Sequence, residues 1–571
     1  MKENHMKRTL SLDVKPSKHY SKEDSILAFN ERILKMGLAP TTPLLERVSF
    51  LKIVHSNLLE WINARYARLS EKEKYRYKPR VSALFEEMTE LGAELSCALE
   101  SNNVRLLDPV LETKVMNLVV PDNGAWRIIS DHYYALIIRS DCQNSPTYMV
   151  DIGTKYSTVN LPSGYYHAIV QFVKDAQYPY LNGMLEPFTR AEFDATQRVK
   201  GLTKALACIV WLNHDKKLNN QILGILQSRK LDIIQAGIDI MISESTLDKT
   251  KAAHPELAYP PIKQRYQVYD YEKELLTNQR EFLFRTPNDS FDHVVDFINQ
   301  CCDSPNVESV YLTLYRFAEN NRILPALLRA AESGKKVFLF IELNARGDED
   351  HNENVTRILQ EYQKKYHMNV YSNYRGMKVH AKLFIAITKD KQVMMHCGTG
   401  NYNEKTSKQY VDMHYITGNP AVTSSTELLQ VITGSSAEPV KPVYSHIERF
   451  ILREISKGRK GRIRIKCNHV QDESTIELLN LAVSSGCKVE MVIRTTIPST
   501  LDERIRIRSV VGKYLEHERI YMFGEGEDLK IFLSSADILY RNLYKRVESF
   551  VEIQNIDMKH SIEHLFDAML K

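Results

Sequence analysis

The sequence predicts a multidomain α+β and α/β protein, with an N-terminal helical bundle, a mixed α+β head domain and two copies of one α/β domain. Three observations lead there. The chain has 571 residues, too many for a single hydrophobic core. Residues 25–101 carry apolar side chains at three- and four-residue steps, the period of a helix with one buried face. The stretch 309–343 is repeated, with the same punctuation, at 462–494.

The helical domain is placed at 1–104. Its first twenty residues are polar and basic and read as a poorly ordered arm. PLLERVSFLKIVHSNLLEWINARYARL (43–69) and PRVSALFEEMTELGAELSCAL (79–99) supply its helices. The head domain, 105–262, opens with short alternating segments such as YYALIIRS, TYMVDIGT and YHAIVQFV, which predict an antiparallel sheet. Helical pattern is expected again over 201–250. A proline- and tyrosine-rich run, 254–276, reads as a boundary connection. Two α/β domains follow, at 263–435 and 436–571, where strand and helix patterns alternate. In both copies of the repeat a strand, a polar loop and a helix end on Ser-Gly before the next strand. Gly334 and Gly486 are expected as C-cap glycines.

Charge gives little direction. The 76 Lys and Arg against 71 Asp and Glu leave a net +5, which does not by itself argue for a nucleic-acid partner. Eight cysteines without CxxC pairs read as reduced thiols of an intracellular protein. No signal peptide or bilayer-length apolar run is seen, so an integral membrane protein is not expected.

The repeat extends into the chemistry. KVHAKLFIAI leads to HCGTGN in one copy, and YLEHERIYMF leads to FLSSAD in the other. His380 precedes Asn401 by 21 residues and His517 precedes Asp537 by 20; a further 11 residues lead to Asp412 and Glu548 respectively. His380-x-Lys382 and His517-x-Arg519 place a histidine and a cation on one side of an extended segment. A phosphoryl group in transfer needs a nucleophile or acid/base at its poles and positive charge around its equator. Imidazole supplies the first and Lys or Arg the second. Asp412 and Glu548 are candidates to orient the imidazoles. The parallel order of the copies suggests that Asp412 serves His380 and Glu548 serves His517. Arg316 and Arg346 fall at carboxyl ends of predicted strands, and Asp348, Glu349 and Asp350 are either a Mg2+ site or a solvated charge run. GTGNYN (398–403) is a candidate phosphate cradle. Lys378, Lys382, Lys466, Arg494, Arg504, Arg506 and Arg508 are candidates for a basic path.

In order along the chain, NDSFDHVVDFI, TLYR, ELNARGDED, KVHAK, GTGNYNEKTSKQYVD, YLEHERIYMF, LSSAD and RNLYKRVE resemble blocks of the long-chain polyphosphate kinase family, within the phospholipase D-like superfamily. FNERIL and PLLERVSFLKIVHSNLLEW resemble that family's helical domain. The resemblance implies reversible transfer of the ATP γ-phosphoryl group to inorganic polyphosphate through a phosphohistidine, with Mg2+. It implies that the repeated domains have the phospholipase D-like fold. His380 would take the phosphoryl group and His517 would be its partner. Asn57, Tyr410, Arg494, Lys382, His396 and Arg546 would contact nucleotide or phosphate, and Arg316 and Arg346 would belong to the Mg2+–phosphate site. The implied partners are ATP/ADP and polyphosphate, without nucleic acid, in a homodimer or higher homo-oligomer. The implied location is cytoplasmic, with a peripheral association with the inner membrane as an option.

The chain departs from the family pattern in places. A usual His and Tyr are Arg285 and Asn288, a usual Asp is Leu59, a basic residue is Asn344, and the loop after Arg494 is short. Two other functions fit the repeat. A phospholipase D-type phosphodiesterase would normally carry Asp four residues after the cation; Ala386 and Phe523 stand there instead. A non-catalytic binding paralogue would be expected to lack a histidine or the arginines, and none is lost.

Overall fold

A computed structural model describes residues 9–13, 21–66, 69–104, 114–117, 125–128, 133–139, 148–152, 155–160, 165–174, 205–211, 232–236, 244–314, 321–341, 349–371, 377–423 and 442–571. They fall into two compact units, one of residues 27–260 and one of residues 1–26 with 261–571.

The smaller unit holds most of the helical region. Helices span Lys22–Leu38, Leu44–Ala64 and Glu71–Ser101. The last starts eight residues before the apolar pattern at Pro79, because Ser70 and Glu73 form a reciprocal capping box at its first turn. Its buried side chains, from Tyr77 through Val81, Leu84, Met88, Leu91, Leu95 and Leu99, keep the helical step. Gly37 lets the first helix approach the others, since a Cβ there would lie 3.1 Å from Leu91 and 3.6 Å from Phe50. Two sheets follow. One has three strands in the order Lys114–Asn117, Lys155–Asn160, Tyr148–Ile152. The other has five, in the order Ala125–Ile128, Tyr133–Arg139, Tyr165–Lys174, Ala205–Trp211, Asp232–Ala236. The expected helical pattern over 201–250 is corrected in part: two of these strands lie there, and among the described residues of that stretch the helix is Glu244–Ala253. ALACIVW and DIIQA are apolar runs without a helical period, and their β-branched content favours strands.

The larger unit is built from the repeat. In the first copy the strands Val307–Leu314 and Lys336–Ile341 run parallel around the helix Ile323–Glu332; in the second, Arg462–His469 and Lys488–Thr496 run parallel around Glu473–Ser484. Gly334 and Gly486 end these helices at φ +86° and +94°. Their amides bond Ala331 and Val483, and the next amides bond Ala330 and Ala482. Each sheet then continues antiparallel, through Leu383–Thr388, Val393–Gly398 and Tyr410–Thr417 in one copy and Ile520–Phe523, Lys530–Ser534 and Phe550–Ile553 in the other.

Both faces of each sheet are covered, and strands such as Leu383–Thr388 and Ile520–Phe523 are nearly continuously apolar. Phe384 and Ala386 face the helices of the first copy, with Val294, Phe297 and Leu327. Leu383 and Ile385 point the other way, into a core shared with Ile520, Met522, Ile531 and Leu533 of the second copy and Ile562 and Phe566 of the last helix. The first twenty residues are not all a loose arm: Thr9–Asp13 adds an antiparallel edge strand to Arg506–Gly512. The described cysteines are free thiols. No helix among the described residues is long and apolar enough to cross a membrane.

Candidate active site

Two short parallel pairings join the copies. Lys378–Val379 pairs with Arg546–Val547, and Leu515–Glu516 pairs with Tyr410–Val411. Each runs directly into a histidine. The His380 amide bonds the Val547 carbonyl at 2.8 Å, and the His517 amide bonds the Val411 carbonyl at 3.1 Å. Each histidine is thus anchored on the strand that carries the other copy's carboxylate.

The carboxylates are therefore exchanged, which corrects the pairing expected from sequence order. His380 Nδ1 lies 2.7 Å from Glu548 Oε2, and His517 Nδ1 lies 2.9 and 3.1 Å from the two oxygens of Asp412. Hydroxyls at equivalent positions complete the two chains: Ser535 donates to Glu548 at 2.5 Å, and Thr399 donates to Asp412 at 2.7 Å. Asn542 also donates to Glu548. Ser535 and Thr399 are the second residues of the aligned turns SSAD and GTGN, so the repeat held a signal for them. Nothing in the sequence singled out Asn542.

Burial pushes the His380 imidazole down to about 4 against the opposing pull of Glu548, with Lys382 acting in the same direction as burial. Burial alone would raise Glu548, but His380, Lys382 and the Ser535 hydroxyl hold it at about 2. At neutral pH this is a neutral imidazole donating from Nδ1 to a carboxylate, which leaves Nε2 as the basic nitrogen. His517 is also lowered, by burial and then by Arg519, with Asp412 opposing. Asp412 is lowered in turn, because His517 and Thr399 outweigh its burial.

The two cations of the motif sit beneath the histidines. Lys382 is buried and donates to the His380 carbonyl at 2.5 Å. Burial lowers its ammonium to about 7, and it senses Glu548, Arg519, Arg546 and Asp412, so charged groups of both copies converge around it. Arg519 Nη1 donates to the His517 carbonyl at 2.6 Å and lies 3.2 Å from its Nε2, while Nη2 is paired with Asp537 at 2.9 Å. Asn468, with its amide nitrogen toward the Glu516 carbonyl (2.9 Å), accepts from Arg519 Nη2 at 2.8 Å. The Tyr410 ring lies 5.3 Å from that of His517, and Arg494 donates to the Glu516 carbonyl at 2.8 Å. His469, missed in the sequence, bonds Thr496 at 2.8 Å and is lowered to about 4 by burial despite Asp537.

Other candidates are placed differently. Gly400 is required for a reason other than a phosphate cradle: a Cβ there would stand 2.2 Å from Asp412 Oδ2. His396 is fully buried, between Tyr402 Oη at 2.7 Å and His414 Nδ1 at 3.2 Å, so it lies behind the site rather than in it. Lys466 is buried against Glu516 and Glu518, and does not line an open path. Arg504 pairs with Asp502, and Arg506 and Arg508 donate to the Leu570 carbonyl at 2.6 and 3.0 Å. Asn57, in the other unit, donates to Asn30 at 3.0 Å. Arg316, Arg346 and Asp348, with the side chains of Glu349 and Asp350, lie outside the described residues.

The described carboxylates do not fit a Mg2+ cage. No group of three His, Cys, Asp or Glu suited to a metal occurs among the described residues. Asp412, Glu548 and Asp537 are each engaged with a histidine or arginine.

Three family models match the chain: polyphosphate kinase N-terminal domain at 19–111, C-terminal domain 1 at 274–438 and C-terminal domain 2 at 440–571. The polyphosphate kinase of Escherichia coli (strain K12) is 25% identical over 96% of this chain and 93% of its own length. That of Parasynechococcus marenigrum (strain WH8102) is 36% identical over 51% of this chain and 44% of its own. A solved polyphosphate kinase from Porphyromonas gingivalis shares the fold, with a TM-score of 0.68 at 20% identity over 96% of this chain and 92% of that one. By domain models, relatives and fold together, the chain belongs to the polyphosphate kinase family.

Proposed function

We propose that the protein transfers the γ-phosphoryl group of ATP reversibly to inorganic polyphosphate through a phosphohistidine on His380. The observation that carries this is the crossed pair of imidazoles, each held at Nδ1 by a carboxylate of the other copy with a buried cation beneath it. Nε2 of neutral His380 attacks the γ-phosphorus in line, and the bond to the β-phosphate oxygen breaks to release ADP. The terminal oxygen of polyphosphate then attacks the same phosphorus, the P–N bond breaks, and the chain is one unit longer. Glu548 stabilises the charge that grows on the His380 ring. Lys382 and Arg519 face the equatorial oxygens.

His517 has the other role. Arg519 stands 3.2 Å from its Nε2, whereas Lys382 reaches only the His380 carbonyl among the bonds described. A cation at Nε2 disfavours attack from that nitrogen, so His517 with Asp412 handles the proton or charge on the departing and entering oxygens. Tyr410, Arg494, Arg546 and Asn57 are proposed contacts to nucleotide and phosphate. Arg316 and Arg346 are proposed phosphate contacts, and Mg2+ bound to the nucleotide would offset phosphate charge.

The test is purified protein with Mg2+, γ-³²P-ATP and polyphosphate. Wild type is expected to acquire acid-labile, base-stable label and to lengthen the polymer, and His380→Ala to do neither. Polymer made by His380→Ala at the wild-type rate would sink the covalent step.

A further inference from the structure

Glu516 and Glu518 flank His517, and alternate residues of an extended chain point to opposite sides. Both carboxylates are buried, with 3% and 0% of their side chains exposed, and both bond Lys466. Arg285 completes the cluster from the other copy. Its Nε and Nη2 form a two-pronged pair with Glu518 at 3.1 and 3.0 Å, and Nη2 lies 3.8 Å from Glu516. Arg285 lies on the strand Phe282–Thr286, which pairs with Tyr410–Thr417 so that Arg285 is opposite Met413 and Thr286 opposite Asp412. The strand pair that presents Asp412 to His517 therefore also presents Arg285 to Glu518.

Two cations and two carboxylates leave the cluster neutral. Its desolvation is costly, and an apolar set of the same volume is often as stable or more so. Stability alone does not account for it, whereas its position does. A bidentate guanidinium–carboxylate pair fixes direction as well as distance, and this one acts one residue from His517.

We infer that Arg285 is a positioning residue for His517. The Arg285–Glu518 pair clamps segment 515–519 of the second copy to the first, holding His517 Nδ1 on Asp412. The inference rests on the proposed role of His517 for its kinetic consequence, but not for its structural one. Around the His517 ring stand Asp412, Arg519, Arg494 and Tyr410, with Glu516 and Glu518 on its own segment.

The experiment compares Arg285→Gln, Glu518→Gln and the double variant with wild type, each checked for folding by circular dichroism. Histidine-¹³C NMR titration, with His517 assigned from His517→Gln, reports the imidazole without needing activity. Arg285→Gln leaves a carboxylate uncompensated and is expected to raise the His517 midpoint by roughly half a unit to one unit; Glu518→Gln is expected to lower it. The double variant should return it close to wild type. In parallel, kcat for polymer synthesis should fall about 10- to 100-fold in each single variant with KM for ATP within about threefold, and recover in part in the double. The inference is overturned if the midpoint is unmoved in both single variants, or if kcat falls only in proportion to the folded fraction. Wild type that titrates as expected but transfers no phosphoryl group would instead remove the proposed function.

Discussion

Glu548→Gln tests the exchange of carboxylates directly. Glu548 is buried and takes bonds from three donors: His380 Nδ1 at 2.7 Å, Ser535 at 2.5 Å and Asn542. Glutamine keeps an oxygen toward His380 and Ser535, and Asn542 accepts from the new amide by turning its own. What is lost is the charge. A hydrogen bond to a charged group contributes about 1.5–3 kcal/mol, and one between neutral groups about 0.5–1.5 kcal/mol. The difference, about 1–1.5 kcal/mol, is roughly a tenfold slower formation of the proposed phosphohistidine. Glu548→Ala would orphan all three donors and confound catalysis with folding. The assay is rapid-quench labelling by γ-³²P-ATP without acceptor, with Asp412→Asn alongside. Glu548→Gln should slow labelling about tenfold, while Asp412→Asn, acting through His517 on the departing and entering oxygens, should slow labelling and transfer to polymer alike. If Asp412→Asn slows labelling and Glu548→Gln does not, the histidines are served within their own copies and the crossed wiring is wrong.

Gly400→Ala should lower kcat by about 10²-fold, because the new methyl displaces Asp412 from both Thr399 and His517 and an error near 1 Å in a positioning group has about that effect. A variant within twofold of wild type in steady-state assays would show that Asp412 has room to shift. Stability should fall as pH drops from about 6.5 towards 4. Over that interval the unfolded chain takes up protons that His380, His414 and His469, each lowered to about 4, refuse in the folded state. Each contributes a slope of up to about 1.4 kcal/mol per pH unit, and Glu548 extends the loss from about 4.5 down to about 2. Urea unfolding at pH 7, 6 and 5 measures it, and a flat unfolding free energy would contradict the burial of these histidines.

The repeat was legible because two helix-ending glycines, two His-x-cation motifs and two small-residue turns recur at nearly constant spacing. Local chemistry sets each of these. The pairing of Asp412 and Glu548 was not legible, because order along the chain suggests partners within a copy. The strands Tyr410–Val411 and Arg546–Val547 instead cross to the other copy. Lys466, Arg506 and Arg508 looked alike as basic residues, and only their surroundings separate a buried ion cluster from cations bonded to the chain's last carbonyls. The strands at 205–211 and 232–236 were misread because short apolar runs do not declare their period.

The sequence by itself determined that there are two equivalent α/β copies, each offering a histidine, a cation and a carboxylate, because these depend on periodicity and spacing. Only the tertiary structure decided which carboxylate holds which histidine, that Gly400 makes room for Asp412, and that Arg285 reaches Glu518 across 233 residues. Those contacts come from strands brought together by burying both faces of two sheets, a constraint that acts through space and leaves no spacing along the chain.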